Sequence, residues 1–82
     1  MTKVLHLTLH KKWFDKIKAK EKTIEYRDIK PYWTKRLEGK EFDEVWFKNG
    51  YSKTSPFMRV KLKKIVKKEK YELHLGKILE IK

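Results

Sequence analysis

The chain has 82 residues, room for one domain, and a domain of this size buries only roughly 60–65% of its unfolded surface. It has no Cys, so disulfides and thiolate zinc sites are excluded, and no apolar run nears the ~20 residues needed to span a bilayer. Its 23 basic and 11 acidic residues leave a net charge of +12, a field that attracts polyanions, nucleic acid first among them, while four Phe, four Tyr and three Trp argue against disorder. All but Arg27, Arg36 and Arg59 of the basic residues are Lys. Lysine is a flexible point charge rather than a bidentate fork, and Lys-rich surfaces also arise for thermal or compositional reasons. Nucleic-acid attraction and a bland solvated surface both fit. The opening Met1–His10 is too short and interrupted for a secretory h-region. With no Cys, a cytoplasmic setting and no membrane partner are expected.

Lys3 to Leu9 alternates, with Leu5, Leu7 and Leu9 on one face and Val4, His6, Thr8 and His10 on the other, as a half-buried strand does. His10, Trp13, Phe14 and Ile17 then fall at helical spacing and predict an amphipathic helix ending near Lys20. Thr23 to Arg27 predicts a second strand. Ile24 and Tyr26 share the face expected to build core, and Thr23, Glu25 and Arg27 share the other. Asp28-Ile29-Lys30 leads to Pro31, suited to a first helical position, and Gly39 suits a stop, so Pro31 to Glu38 predicts a short helix. Phe42 to Lys48 predicts the third strand, with Val45 and Phe47 opposite Trp46. Asn49-Gly50 is a hairpin signal followed by a polar loop through Pro56. In Phe57 to Leu62, Met58, Val60 and Leu62 point inward, and the phase break at Lys63-Lys64 predicts a bulge before Ile65-Val66. Lys67 to Lys70 reads as a turn. Tyr71 to Ile81 closes the pattern as one or two strands, with Gly76 where another backbone comes close. Early helices and late antiparallel strands predict an α+β fold, a small twisted sheet or partly closed barrel capped by two short helices.

Lys22, Glu25 and Arg27 bring a cation, an acid and a fork-shaped donor within six residues. Arg27 could fork to a phosphate or base edge or hold Glu25. Glu25 could accept from an exocyclic amine, and Lys22 could meet a phosphate or serve as a base. An exposed ion-pair row worth roughly 0–1 kcal/mol is the plain alternative. Lys48-Asn49-Gly50-Tyr51 offers an amide and an aromatic for hydrogen bonding and stacking on a base, or simply a turn. His6 could line a cleft beside Thr8. His6 and His10, roughly 13 Å apart on a strand, cannot share a metal, and no metal or cofactor is expected. Phase puts Trp33 with Leu37 and Trp13 with Phe14 and Ile17, and each of Trp13, Trp33 and Trp46 reads as core more readily than as a ligand platform, although Trp33 or Tyr32 near the cleft mouth could stack a base. The Lys61–Lys70 run could track a phosphate backbone or protect an edge strand from aggregation.

These features together resemble the ASCH family of the PUA-like superfamily. The opening strand Val4–Leu9, the helix from Lys12 to Ile17, the motif Glu21-Lys22-Thr23-Ile24-Glu25-Tyr26-Arg27, and the later Phe47–Tyr51 and His74–Ile78 carry the likeness, which spans nearly the whole chain. Lys22, Glu25 and Arg27 match the motif, while Ala19-Lys20 stands where the family usually has a Gly. The resemblance implies one domain over residues 1–82: a PUA-like pseudo-barrel of about five mostly antiparallel strands with a cleft beside the motif strand. It implies RNA, a nucleoside or a nucleotide as partner, met by Lys22, Glu25, Arg27, Lys48, Asn49, Tyr51 and His6, in a chain expected to be monomeric. Some compact members are amidohydrolases acting on acetylcytidine. Here Lys22 and Glu25 would be the catalytic pair, but Glu25 occupies the position matching the family's reactive Thr, and Glu69 and Glu72 only weakly match its later Glu. A protein-interaction module with incidental charge is the third reading.

Overall fold

Alternating apolar residues form the strands, and the computed structural model, which describes residues 2–50 and 54–82, shows how they join. The order is β1 (Val4–Thr8), α1 (Lys11–Lys18), β2 (Ile24–Arg27), α2 (Pro31–Leu37), β3 (Glu44–Lys48), β4 (Phe57–Lys67) and β5 (Tyr71–Ile81). The five strands form one sheet in the order β1-β3-β4-β5-β2. β1 and β3 run parallel, Leu5 opposite Val45, and the other pairs are antiparallel. The sheet curls into a half-barrel with the two helices packed on it, a small α+β pseudo-barrel. Its edge strands, β1 and β2, face each other across an open seam bridged by Arg27, whose Nη2 lies 3.5 Å from the Thr8 carbonyl oxygen.

The inward faces of β1, β3 and β4 are those the alternation predicts: Leu5 and Leu7, Val45 and Phe47, and Met58, Val60 and Leu62 are all buried. They meet Phe14 and Ile17 of α1, Leu37 of α2, and Tyr71, Leu73 and Leu75 of β5 in one core. Apolar burial of this kind contributes roughly 25 cal/mol per Å² and is the main favourable term in folding. α2 is pinned to β5 at Tyr71, whose hydroxyl donates to Glu38 Oε2 (2.8 Å) and accepts from Thr34 Oγ1 (2.8 Å). β4 and β5 slip register between Leu62 and Lys64, next to the predicted phase break, and at two positions before it. Gly76 sits against this irregularity: a Cβ there would lie 3.4 Å from the Lys61 carbonyl oxygen and 3.3 Å from Lys63 Cγ.

Three details differ from the sequence reading. In β2 the faces are reversed: Glu25 points inward, and Tyr26 is 46% exposed. Alternation alone favours the Ile24–Tyr26 face as the inside, but Glu25 turns in where two cations and a backbone N–H receive it. Trp13, grouped with the core by phase, is 38% exposed at the margin of the buried stripe of Phe14 and Ile17. Finally, α1 ends without glycine. Lys20 takes φ 65°, its N–H donates to the Ile17 carbonyl (3.0 Å), and the Glu21 N–H donates to the Lys16 carbonyl (2.9 Å). That bonding is a Schellman ending with a lysine in the left-handed position where glycine is usual. The turn out of the helix is therefore made without a glycine, at the steric cost of a Cβ in that conformation. No helix among the described residues is long and apolar enough to cross a membrane.

Candidate functional site

A cleft of about 430 Å³ opens at the seam between the two sheet edges. Thr8 to Lys11 come from the end of β1 and the start of α1, Glu25 to Arg27 from β2, and Asn49 and Gly50 from the loop after β3. The β1–β3 ends are tied together beneath it: the Leu9 N–H donates to the Lys48 carbonyl (2.8 Å), and Asn49 Nδ2 donates to the Leu9 carbonyl (3.0 Å). The Asn49 amide therefore braces the cleft that its residue lines.

Glu25 is the buried acid of the cleft, only 6% exposed. Its Oε2 accepts from Arg27 Nη2 at 2.9 Å. Its Oε1 accepts from its neighbour's backbone, the Tyr26 N–H, at 3.0 Å and lies 3.5 Å from Lys22 Nζ. The two cations are themselves held by rings. Lys22 Nζ lies 5.0 Å from the Trp13 ring centre and 5.1 Å from that of Tyr26, and the Arg27 guanidinium lies 5.0 Å from the ring of Trp33. These are cation–π distances. Trp33 thus forms a bed that α2 places under Arg27, a role requiring α2 to cross β2 and invisible in sequence spacing. Two cations on one carboxylate leave the cluster with an excess positive charge. The buried Arg27 Nε has no hydrogen-bond partner among the described residues. A buried N–H without an acceptor carries a desolvation penalty.

The predicted site residues are only partly brought together. Glu25, Arg27 and Asn49 line the cleft, and Lys22 stands behind its Trp13–Tyr26 rim. His6 and Lys48 line a different depression on the outer sheet face with Trp46 and Phe57, where the His6 and Trp46 rings meet edge to face at 5.3 Å. Tyr51 lies outside the described residues. Sequence reasoning did not single out His10, Lys11 or Tyr26 for the cleft. Its one readable signal was Trp13, a large aromatic at the edge of an amphipathic stripe, flanked by lysines. Among the described residues no group of three His, Cys, Asp or Glu side chains is placed to hold a metal ion.

Chemically, the cleft combines two exposed aromatic surfaces, a guanidinium with an open donor, and a carboxylate already engaged by two cations and an amide. Such a set suits a planar, acceptor-rich ring better than an amine, because Glu25 has most of its acceptor capacity filled while Arg27 does not. Compared with protein-family models, with curated proteins and with solved structures, the chain matches none.

Proposed function

We propose that this chain is an RNA- or nucleotide-binding domain of the ASCH, PUA-like type that takes a nucleobase into the seam cleft. The observation that carries the reading is the seam cleft itself, which sets the Arg27 guanidinium, fixed by Glu25, beside the exposed rings of Trp13 and Tyr26. In this role the Arg27 fork meets an acceptor edge of the base. Glu25 holds the fork in plane rather than reading the base itself, and the exposed rings stack. The +12 charge draws the polyanion in. The resemblance at Lys22, Glu25 and Arg27 supports the same reading. An amidohydrolase is the weaker alternative, since Lys22 is paired to Glu25 beneath two rings and the family's reactive Thr is replaced.

The test is an amide NMR titration of labelled protein with a short single-stranded RNA and, in parallel, with acetylcytidine. The expected result is shifts centred on Lys22–Arg27 and Asn49, with acetylcytidine unchanged. Release of cytidine and acetate would make the chain an enzyme. Shifts confined to Lys61–Lys70 and removed by modest salt would reduce the interaction to charge and sink the cleft assignment.

A further inference from the structure

Beyond the seam, a second groove of about 450 Å³ lies where α1 ends over the β4–β5 irregularity. Its floor is apolar, formed by Ile17, Val60, Leu75 and Ile78, and its rim is basic. Lys20, Lys63 and Lys77 stand on that rim, and among the described residues none of the three forms an ion pair. Many other lysines among the described residues are likewise without an ion pair, so what sets these three apart is that they gather around one groove. Unpaired ammoniums gathered around one groove repel each other, and an anion would relieve that repulsion. Gly76 contributes by having no side chain: a Cβ would press on Lys63 at 3.3–3.4 Å.

The groove is connected to the cleft. A shallow depression of about 320 Å³ shares Trp13 and Tyr26 with the cleft and shares Lys22 and Thr23 with the groove. Midway, the Trp13 ring has Lys12, Lys16 and Lys22 ammoniums within 6 Å of its centre. Aromatic faces interleaved with cations along one path are the arrangement that single-stranded nucleic acid requires.

Resting on the nucleobase reading of the cleft, we propose that the ligand is a single strand of RNA several nucleotides long, not a free nucleotide. One base enters the seam, a neighbour stacks at Trp13 and Tyr26, and the backbone runs on into the groove, where Lys20, Lys63 and Lys77 take its phosphates. A duplex does not fit this use of the path, because its bases are already paired and stacked.

The experiment measures affinity for cytidine 5′-monophosphate and for single-stranded oligocytidylates of increasing length, with amide shifts recorded for each. Affinity rises by at least about tenfold from the mononucleotide to the oligomers, as one further stacked base supplies, and the shifts spread from Arg27 through Trp13 to Gly76 and Lys77. The combined Lys20→Gly, Lys63→Gln, Lys77→Gln variant loses most of that gain. Its log-affinity against log-salt slope falls by about 2, the single-strand value for three phosphate contacts, while mononucleotide affinity stays as it was. Lys20→Gly favours folding, because it relieves the positive φ, so the variant remains usable. If mononucleotide and oligomer bind the cleft equally well, the extended path is wrong and the cleft reading stands; if a duplex binds as tightly as the strand, charge alone draws the nucleic acid and both the path and the base-in-cleft reading fail. If oligomers shift only the groove and nothing shifts Arg27, the cleft reading itself is wrong.

Discussion

Two clusters in this molecule use the same residue types, an Arg and a Glu beside a Trp, in opposite ways. On the outer sheet face, Arg59 of β4 lies between Glu44 of β3 and Glu80 of β5, with Nε to Glu44 Oε1 at 2.9 Å and Nη1 to Glu80 Oε1 at 3.3 Å. Trp46 Nε1 adds a second donor to Glu44 at 2.9 Å. Arg59 is engaged there through all three of its nitrogens, Lys82 adds a second cation at Glu80 (3.6 Å), so two carboxylates meet two cations, and the group staples three neighbouring strands. In the seam the balance differs: one carboxylate receives two cations, and the Arg27 Nε is unmatched among the described residues. The outer cluster is complete in itself and so needs nothing from solution. The inner one is held by Lys22, Arg27 and the Tyr26 N–H yet carries more cation than anion. Completeness of the polar network, rather than residue type, separates a staple from a site.

The largest effect that would test this contrast is on stability. Glu25→Ala strands Lys22 and Arg27, both largely buried, without their shared anion. Breaking such a pair costs about 3 kcal/mol or more, which in a domain this small lowers Tm by more than about 10 °C. Glu44→Ala leaves Arg59 with Glu80 and with access to water, and its Tm loss is smaller. Equal losses in thermal melts of the two variants would mean that the seam cluster is no more buried in its effect than the surface one.

Ligand binding comes next. Trp13→Ala removes a ring that is 38% exposed, so Tm changes little, whereas affinity for single-stranded RNA falls by about 1–3 kcal/mol, the worth of one stacked base. Arg27→Lys keeps the charge on Glu25 but loses the planar fork. It weakens binding while largely preserving the fold. Trp46→Ala, on the outer face, leaves affinity unchanged and costs stability instead. Isothermal titration of the three variants checks this, and an affinity loss in Trp46→Ala that matched the one in Trp13→Ala would dissolve the distinction between the faces.

How much of the contrast the sequence could reveal follows from its physics. The β1, β3 and β4 faces were legible because three apolar residues in alternation leave one choice of interior. β2 was not, since alternation favours the Ile24–Tyr26 face as the inside and Glu25 turns in instead. That choice depends on Lys22, the end of α1 and the Trp33 bed, which meet only after folding. The Lys22-Glu25-Arg27 spacing marked a cluster correctly, but whether it was a staple or an open site depended on the unmatched Nε. His6 shares a strand face with Thr8, and Lys48 precedes Asn49, which is why both read as cleft residues. Both instead line the outer depression with Trp46 and Phe57, which Thr8 also reaches. The close approach at Gly76 was legible because a glycine inside a strand pattern has few other uses.

The smallest effect concerns acid. Hydrogen bonds from Arg59 and then Trp46 hold Glu44 below the ordinary glutamate value of 4.5, and hydrogen bonds from Tyr71 and then Lys67 do the same for Glu38. Because the folded-state values are depressed, the unfolded chain takes up protons first as pH falls. The stabilisation from these two groups is therefore complete above about 4.5 and is lost as pH drops through the lowered folded-state values. Glu44→Gln cannot titrate and removes its share of that dependence, so urea midpoints measured from neutral pH down through this range fall less steeply than in the parent chain. Glu38→Gln flattens the same limb by disconnecting α2 from Tyr71 and Lys67. The two carboxylates share no hydrogen-bond partner, so their effects on the slope add. A limb left unchanged by both would place the acid sensitivity elsewhere and deprive the outer cluster of its role as a staple.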